Sequence, residues 1–148
     1  MRVYVYCIKD DYPYQSSITG RSFENEWFQL SADGMITVKG TNKRGYSWDG
    51  CSPKYKLLGM YFGTPEAVIN YDTRHSRTYY ASLIHDLFYQ FSKDMKGIVK
   101  RVEADKEFYN ILKRDGFKPA RLYYWAVRLG GWIWWGKPVI IKRIFGRP

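Results

Sequence analysis

Only two cysteines and two histidines stand among the 148 residues, and no apolar run approaches the roughly 18 residues that a membrane-spanning helix needs. Two cysteines cannot make a disulfide framework. Cys7 lies in a strand-like segment and Cys51 in a loop, and with so few histidines no zinc-type spacing exists. His75, between Arg74 and Arg77, reads as an exposed residue rather than a ligand. The start, Met1-Arg-Val-Tyr-Val-Tyr-Cys-Ile8, alternates and is too short for a signal-peptide core, so no signal peptide is expected. Repeats, low-complexity segments and domain linkers are missing too, which leaves one domain over residues 1–148 with a single core. Acidic residues are scarce, and none follows Asp115.

The formal net charge is +10, and 19% of the residues are aromatic. Both biases favour a polyanionic or interfacial partner without choosing among nucleic acid, anionic lipid and acidic protein. After Asp115 the cations are Lys118, Arg121, Arg128, Lys137, Lys142, Arg143 and Arg147. The pattern predicts an α+β fold: residues 1–50 mainly β, 51–75 loop, 76–135 helical and 136–148 a basic tail. Residues 2–8 alternate as a covered strand, which Asp10-Asp-Tyr-Pro13 breaks. Glu26–Leu30 and Met35–Lys39 flank Asp33-Gly34 as a hairpin, and Tyr46–Trp48 suits a short strand. A first helix is expected from a cap at Ser76 or Thr78 to about Phe91, and a second from about Ile98 to Arg114 with Gly116 as its stop. The short connection makes them antiparallel. Pro119 suits the first turn of a third helix, Ala120 to about Trp135, in which Gly130-Gly131 marks a break or a close approach.

Chemistry concentrates in Ala81-Ser-Leu-Ile-His-Asp-Leu-Phe-Tyr89 and Ala104-Asp-Lys-Glu-Phe108. On a helix His85 and Tyr89 share one face at i,i+4, while Asp86 lies about 100° round from His85. Ile98, Val102, Asp105, Phe108 or Tyr109, and Leu112 form the stripe of the second helix, with the carboxylate of Asp105 in its middle. An unpaired buried carboxylate costs several kcal/mol, roughly, so Asp105 calls for a donor on the facing helix, His85 or Tyr89.

His85-Asp86-x-x-Tyr89 with Asp105-x-x-Phe108 resembles phospholipase A2, closest to the disulfide-free domain of parvovirus capsid proteins. A wider pattern, Trp48-Asp-Gly-Cys-Ser-Pro53, Ala81 to Tyr89, Ala104 to Phe108 and Tyr124-Trp-Ala-Val-Arg128, looks like a phage- and prophage-borne family of unknown function. The phospholipase resemblance implies calcium-assisted hydrolysis of a phospholipid ester. His85 is then the general base, Asp105 orients it, Tyr89 is a further ligand of that carboxylate, and Asp86 binds Ca2+. Loop carbonyls supply the remaining calcium ligands, with Gly59, Tyr61 and Gly63 as candidates. The known calcium loop is richer in glycine than Gly59-Met-Tyr-Phe-Gly63. Asp49-Gly50 is a secondary candidate whose default role is a turn. The viral likeness places the chain in host cytoplasm or with a virion, soluble or peripheral at a membrane.

Other readings stand beside this one. A histidine and an aspartate across a helix pair also form a polar clamp, so a non-enzymatic virion or phage accessory protein that binds a protein partner is the alternative. Trp132, Trp134 and Trp135 with Lys137 and Arg143 suit contact with an anionic phospholipid surface or a virion protein, although such aromatics more often pack on the chain's own core. Stacking of single-stranded nucleic acid on these rings is a third reading.

Overall fold

The computed structural model describes residues 6–40, 46–48, 56–57, 60–61, 69–133 and 135–136. They form an α+β fold, a small antiparallel sheet followed by three helices. The sheet has the order β2 (Tyr12–Gln15), β5 (Met35–Val38), β4 (Phe28–Leu30), β3 (Phe23–Glu24). In the expected hairpin Phe28 pairs with Val38 and Leu30 with Ile36. All four side chains are buried, so the pleat turns one apolar face to the helices. Each such burial contributes about 1.5–3 kcal/mol. Gly34 closes the turn with φ 90°, and a Cβ there would meet the Ser16 carbonyl at 2.8 Å.

Pro13 does not end the strand region, as the sequence had suggested. The chain resumes at once as β2, which lies at the sheet edge, where a proline needs no ladder donor. Of the first alternating segment residues 6–8 are described: in β1 (Tyr6–Cys7) Tyr6 is half-buried and Cys7 exposed, and Ile8 is buried. Strand β1 pairs with β6 (Ser47–Trp48), and the buried Trp48 indole donates to Ser82 Oγ at 3.0 Å. Two short hairpins, β7 (Lys56–Leu57) with β8 (Met60–Tyr61) and β9 (Ile69–Asn70) with β10 (His75–Ser76), occupy the expected loop.

Helix α1 (Tyr79–Gln90) is apolar nearly all round, and Leu83, Ile84, Leu87 and Phe88 are fully enclosed, so it runs through the core. Helix α2 (Arg101–Arg114) begins three residues later than periodicity suggests. Glu103 fixes that start by accepting from the Lys100 N–H at 2.8 Å and from Arg21 at 2.7 Å. Helix α3 (Ala120–Gly130) stops short of Trp135 and tightens into a 3₁₀ turn, Gly131–Ile133. Gly131 is a close approach: a Cβ there would fall 2.2 Å from the Tyr89 hydroxyl. No described helix is long and apolar enough to cross a membrane.

Candidate active site

Antiparallel packing of α1 on α2 brings the i,i+4 pair of one helix to the single carboxylate in the apolar stripe of the other. Asp105 is fully buried. Its Oδ1 accepts the Tyr89 hydroxyl at 2.6 Å and lies 3.1 Å from His85 Nε2. The His85 and Tyr89 rings lie 4.2 Å apart between centroids, and Phe108 closes the other side of the imidazole at 4.8 Å. The donors expected for Asp105 on the facing helix are thus both present.

Two further partners were not expected. Oδ2 accepts from Arg128 Nη1 at 2.7 Å and, more weakly, from Arg101 Nη1 at 3.5 Å. Arg101 also donates to the Val127 and Arg128 carbonyls at 3.3 and 3.1 Å, so it ties the end of α3 to the same carboxylate. The i,i+4 spacing of Arg101 and Asp105 was a readable signal. No local spacing links Arg128 to Asp105, because that contact depends on where α3 crosses α2.

Burial alone would raise the Asp105 carboxyl, but hydrogen bonds from His85, Tyr89 and Arg128 outweigh it and hold the pKa below the usual carboxylate value. Burial lowers His85, yet its bonds to Asp105 and Asp86 prevail and raise it. The Tyr89 hydroxyl is pushed up, first by burial and then by Asp105, so it remains a donor. An ionised Asp105 requires a proton on His85 Nε2, which assigns the lone pair of the neutral ring to Nδ1. Nδ1 faces Asp86, whose Oδ1 is 3.9 Å away.

These shifts set the pH window of the pair. Asp105, depressed, contributes its stability above about pH 4 and loses it as pH falls through its lower folded value; His85, raised, contributes fully below about pH 6.5 and loses it as pH rises through its folded value. Arg128 restrains the second shift, since its positive charge offsets the pull of Asp105 on the imidazole. In Arg128→Met the His85 titration midpoint, followed by NMR of the ring protons, should therefore move up, while Arg128→Lys stays near the parent. An unchanged midpoint in folded Arg128→Met would remove Arg128 from this role. The ring protons of His75 report any general loss of structure.

Asp86 keeps 22% of its side chain exposed beside the imidazole. Of the six to eight oxygens that calcium takes, Asp86 is the described carboxylate at this place, and no group of three or more metal-ligating side chains occurs among the described residues. Tyr61 ends β8, whereas Gly59, Gly63, Asp49 and Gly50 lie outside the described residues. Trp134, Lys137 and Arg143 also lie outside them. Trp132 is exposed, whereas Trp135 is half-buried with its ring edge-on to Tyr89 at 5.1 Å.

His75 is not exposed as expected. It is half-buried and stacked on Tyr79 at 4.0 Å, because β9 and β10 fold it back onto the start of α1. A cavity of about 350 Å³ adjoins this stack, lined by Ile8, Tyr12, Tyr79 and Tyr80 among others. It includes none of His85, Asp86, Tyr89 or Asp105.

Fold and site together define an α+β protein with a buried histidine–aspartate pair between two core helices. The chain is similar to a family described as "Protein of unknown function (DUF1353)", whose model matches residues 61–127, under half of the chain. That span includes His85, Asp86, Tyr89, Arg101 and Asp105 and stops one residue before Arg128. No curated protein and no solved structure matches the chain.

Proposed function

We propose that this protein is an ester hydrolase of the phospholipase A2 type, acting on phospholipid through a His85–Asp105 dyad. The observation that supports it most is the sharing of Asp105 Oδ1 by His85 Nε2 and the Tyr89 hydroxyl, which fixes the imidazole in the tautomer with a basic Nδ1. A water held at Nδ1 gives its proton to the ring as its oxygen bonds to the ester carbonyl carbon. Asp105 and Asp86 stabilise the imidazolium. The ring then returns the proton to the departing alkoxide as the ester C–O bond breaks, leaving a fatty acid and a lysophospholipid. The neutral base is the form present above the raised pKa of His85, so the rate should climb as pH rises through that value. Calcium bound at Asp86 would polarise the ester carbonyl; the steps above are carried by the side chains alone.

The test is fatty-acid release from mixed anionic and zwitterionic vesicles, with calcium or with chelator. His85→Gln should reduce release about 10²–10⁴-fold, the usual worth of a general base. No release from folded wild type would defeat the proposal.

A second reading has its own support. Two arginines occupy Oδ2, and only 8% of the His85 side chain is exposed, as befits a clamp that fixes helix packing in a non-enzymatic virion or phage accessory protein. That reading predicts a steep fall in melting temperature for His85→Gln, with no calcium-linked stabilisation of the wild type.

A further inference from the structure

Helix α3 carries its apolar face on the wrong side for a core helix. Ala120 and Val127 are the residues it buries fully, with Tyr123 packed half-buried against the core beside them. Leu122, Trp125, Leu129 and Trp132 follow one another at spacings of three, four and three. They are exposed by 54%, 56%, 73% and 68%. At about 100° per residue Leu122, Trp125 and Leu129 share one stripe, with Trp132 exposed in the turn that follows, and Val127 lies diametrically across the helix from the midpoint of Trp125 and Leu129. Such a stripe left in water is costly, and contiguous patches of this kind mark contact surfaces.

We propose that this outward face of α3 docks on an anionic phospholipid surface, with Leu122, Trp125, Leu129 and Trp132 entering the headgroup boundary and Lys118 and Arg121 paired with lipid phosphates. Charge complementarity selects this occupant. Lys118 and Arg121 are exposed beside the stripe, and the chain holds no acid from residue 116 onward. A second copy would set cations against cations, and the chain's own basic tail would do the same. Nucleic acid would satisfy the cations but leave the aliphatic Leu122 and Leu129 against phosphate, where they have no ring on which to stack a base. A bilayer interface satisfies both parts: aliphatic groups enter the acyl boundary, tryptophan takes the headgroup level, and arginine reaches anionic lipid.

The inference is separate from the hydrolase reading, because none of these residues touches Asp105 or His85. The full chain is mixed with vesicles of phosphatidylglycerol and phosphatidylcholine, or of phosphatidylcholine alone, and the bound fraction is measured by flotation at low and high salt. The wild type should prefer the anionic vesicles and lose affinity with salt, and Leu129→Glu should weaken binding on the order of tenfold or more with an unchanged melting temperature. Arg121→Glu, which reverses a surface charge and leaves the apolar stripe intact, should weaken binding in the same direction. His85→Gln should bind as the wild type does, so failed hydrolysis with intact binding sinks the hydrolase alone. Wild-type protein that ignores anionic vesicles would overturn the inference, as would undiminished binding by both folded variants. Retention on single-stranded DNA without vesicle binding would overturn it in favour of nucleic acid, and a dimer lost in Leu129→Glu without vesicle binding would do so in favour of self-association.

Discussion

Asp105→Asn should lower the unfolding free energy by about 3 kcal/mol, the low end of the penalty for breaking a buried ionic network. The low end applies because the Arg101 and Arg128 side chains keep 21% and 24% exposure and regain some water when the carboxylate is lost. Asparagine is nearly isosteric, so the loss is electrostatic. Its one oxygen can serve either His85 and Tyr89 or the two arginines, and its NH2 then meets donors on the other side. Urea denaturation should show a lower midpoint with an unchanged slope. Less than about 0.5 kcal/mol of change would mean that the four contacts do not couple as described.

Glu107→Ala should cost about 1–3 kcal/mol, the effect of leaving the buried Tyr14 hydroxyl without an acceptor, while the exposed Ser17 turns to water. Glu107 is buried on the face of α2 turned toward the sheet. One oxygen accepts the Tyr14 hydroxyl at 2.6 Å, and the other accepts the Ser17 N–H at 2.9 Å and the Ser17 hydroxyl. Burial first and Glu107 second push the Tyr14 hydroxyl far above its ordinary value, so it remains a donor. These bonds fasten β2 and the turn after it to α2. Glu107→Gln should cost only about 1 kcal/mol, because the amide keeps one acceptor and the Tyr14 oxygen can accept from its NH2. Equal losses for Ala and Gln would show that packing rather than hydrogen bonding dominates there.

Local pattern made much of this molecule legible. The Asp33-Gly34 turn, the Thr78 boundary of α1, the Gly116 stop and the placement of Asp105 in an apolar stripe each follow from a few neighbouring residues and a fixed period. Where the structure departs from local pattern, a distant contact prevails. Pro13 stays in a strand because β2 lies at the edge, and His75 is covered because a hairpin folds it onto Tyr79. The tryptophan-rich end looks like one unit in the sequence, yet Trp135 turns inward to Tyr89 while Trp132 faces out, a division that falls after the break at Gly131.

The sequence by itself determined the α+β order, the two helices with their His85, Tyr89 and Asp105 positions, and the need of Asp105 for a partner. These are matters of period and of the cost of a buried charge. Tertiary structure alone decided that Arg128 shares that carboxylate, that Glu107 fastens helix to sheet, and that the apolar stripe of α3 faces outward. Each depends on the angle at which one element crosses another, which the packing of the entire core sets and no local spacing encodes.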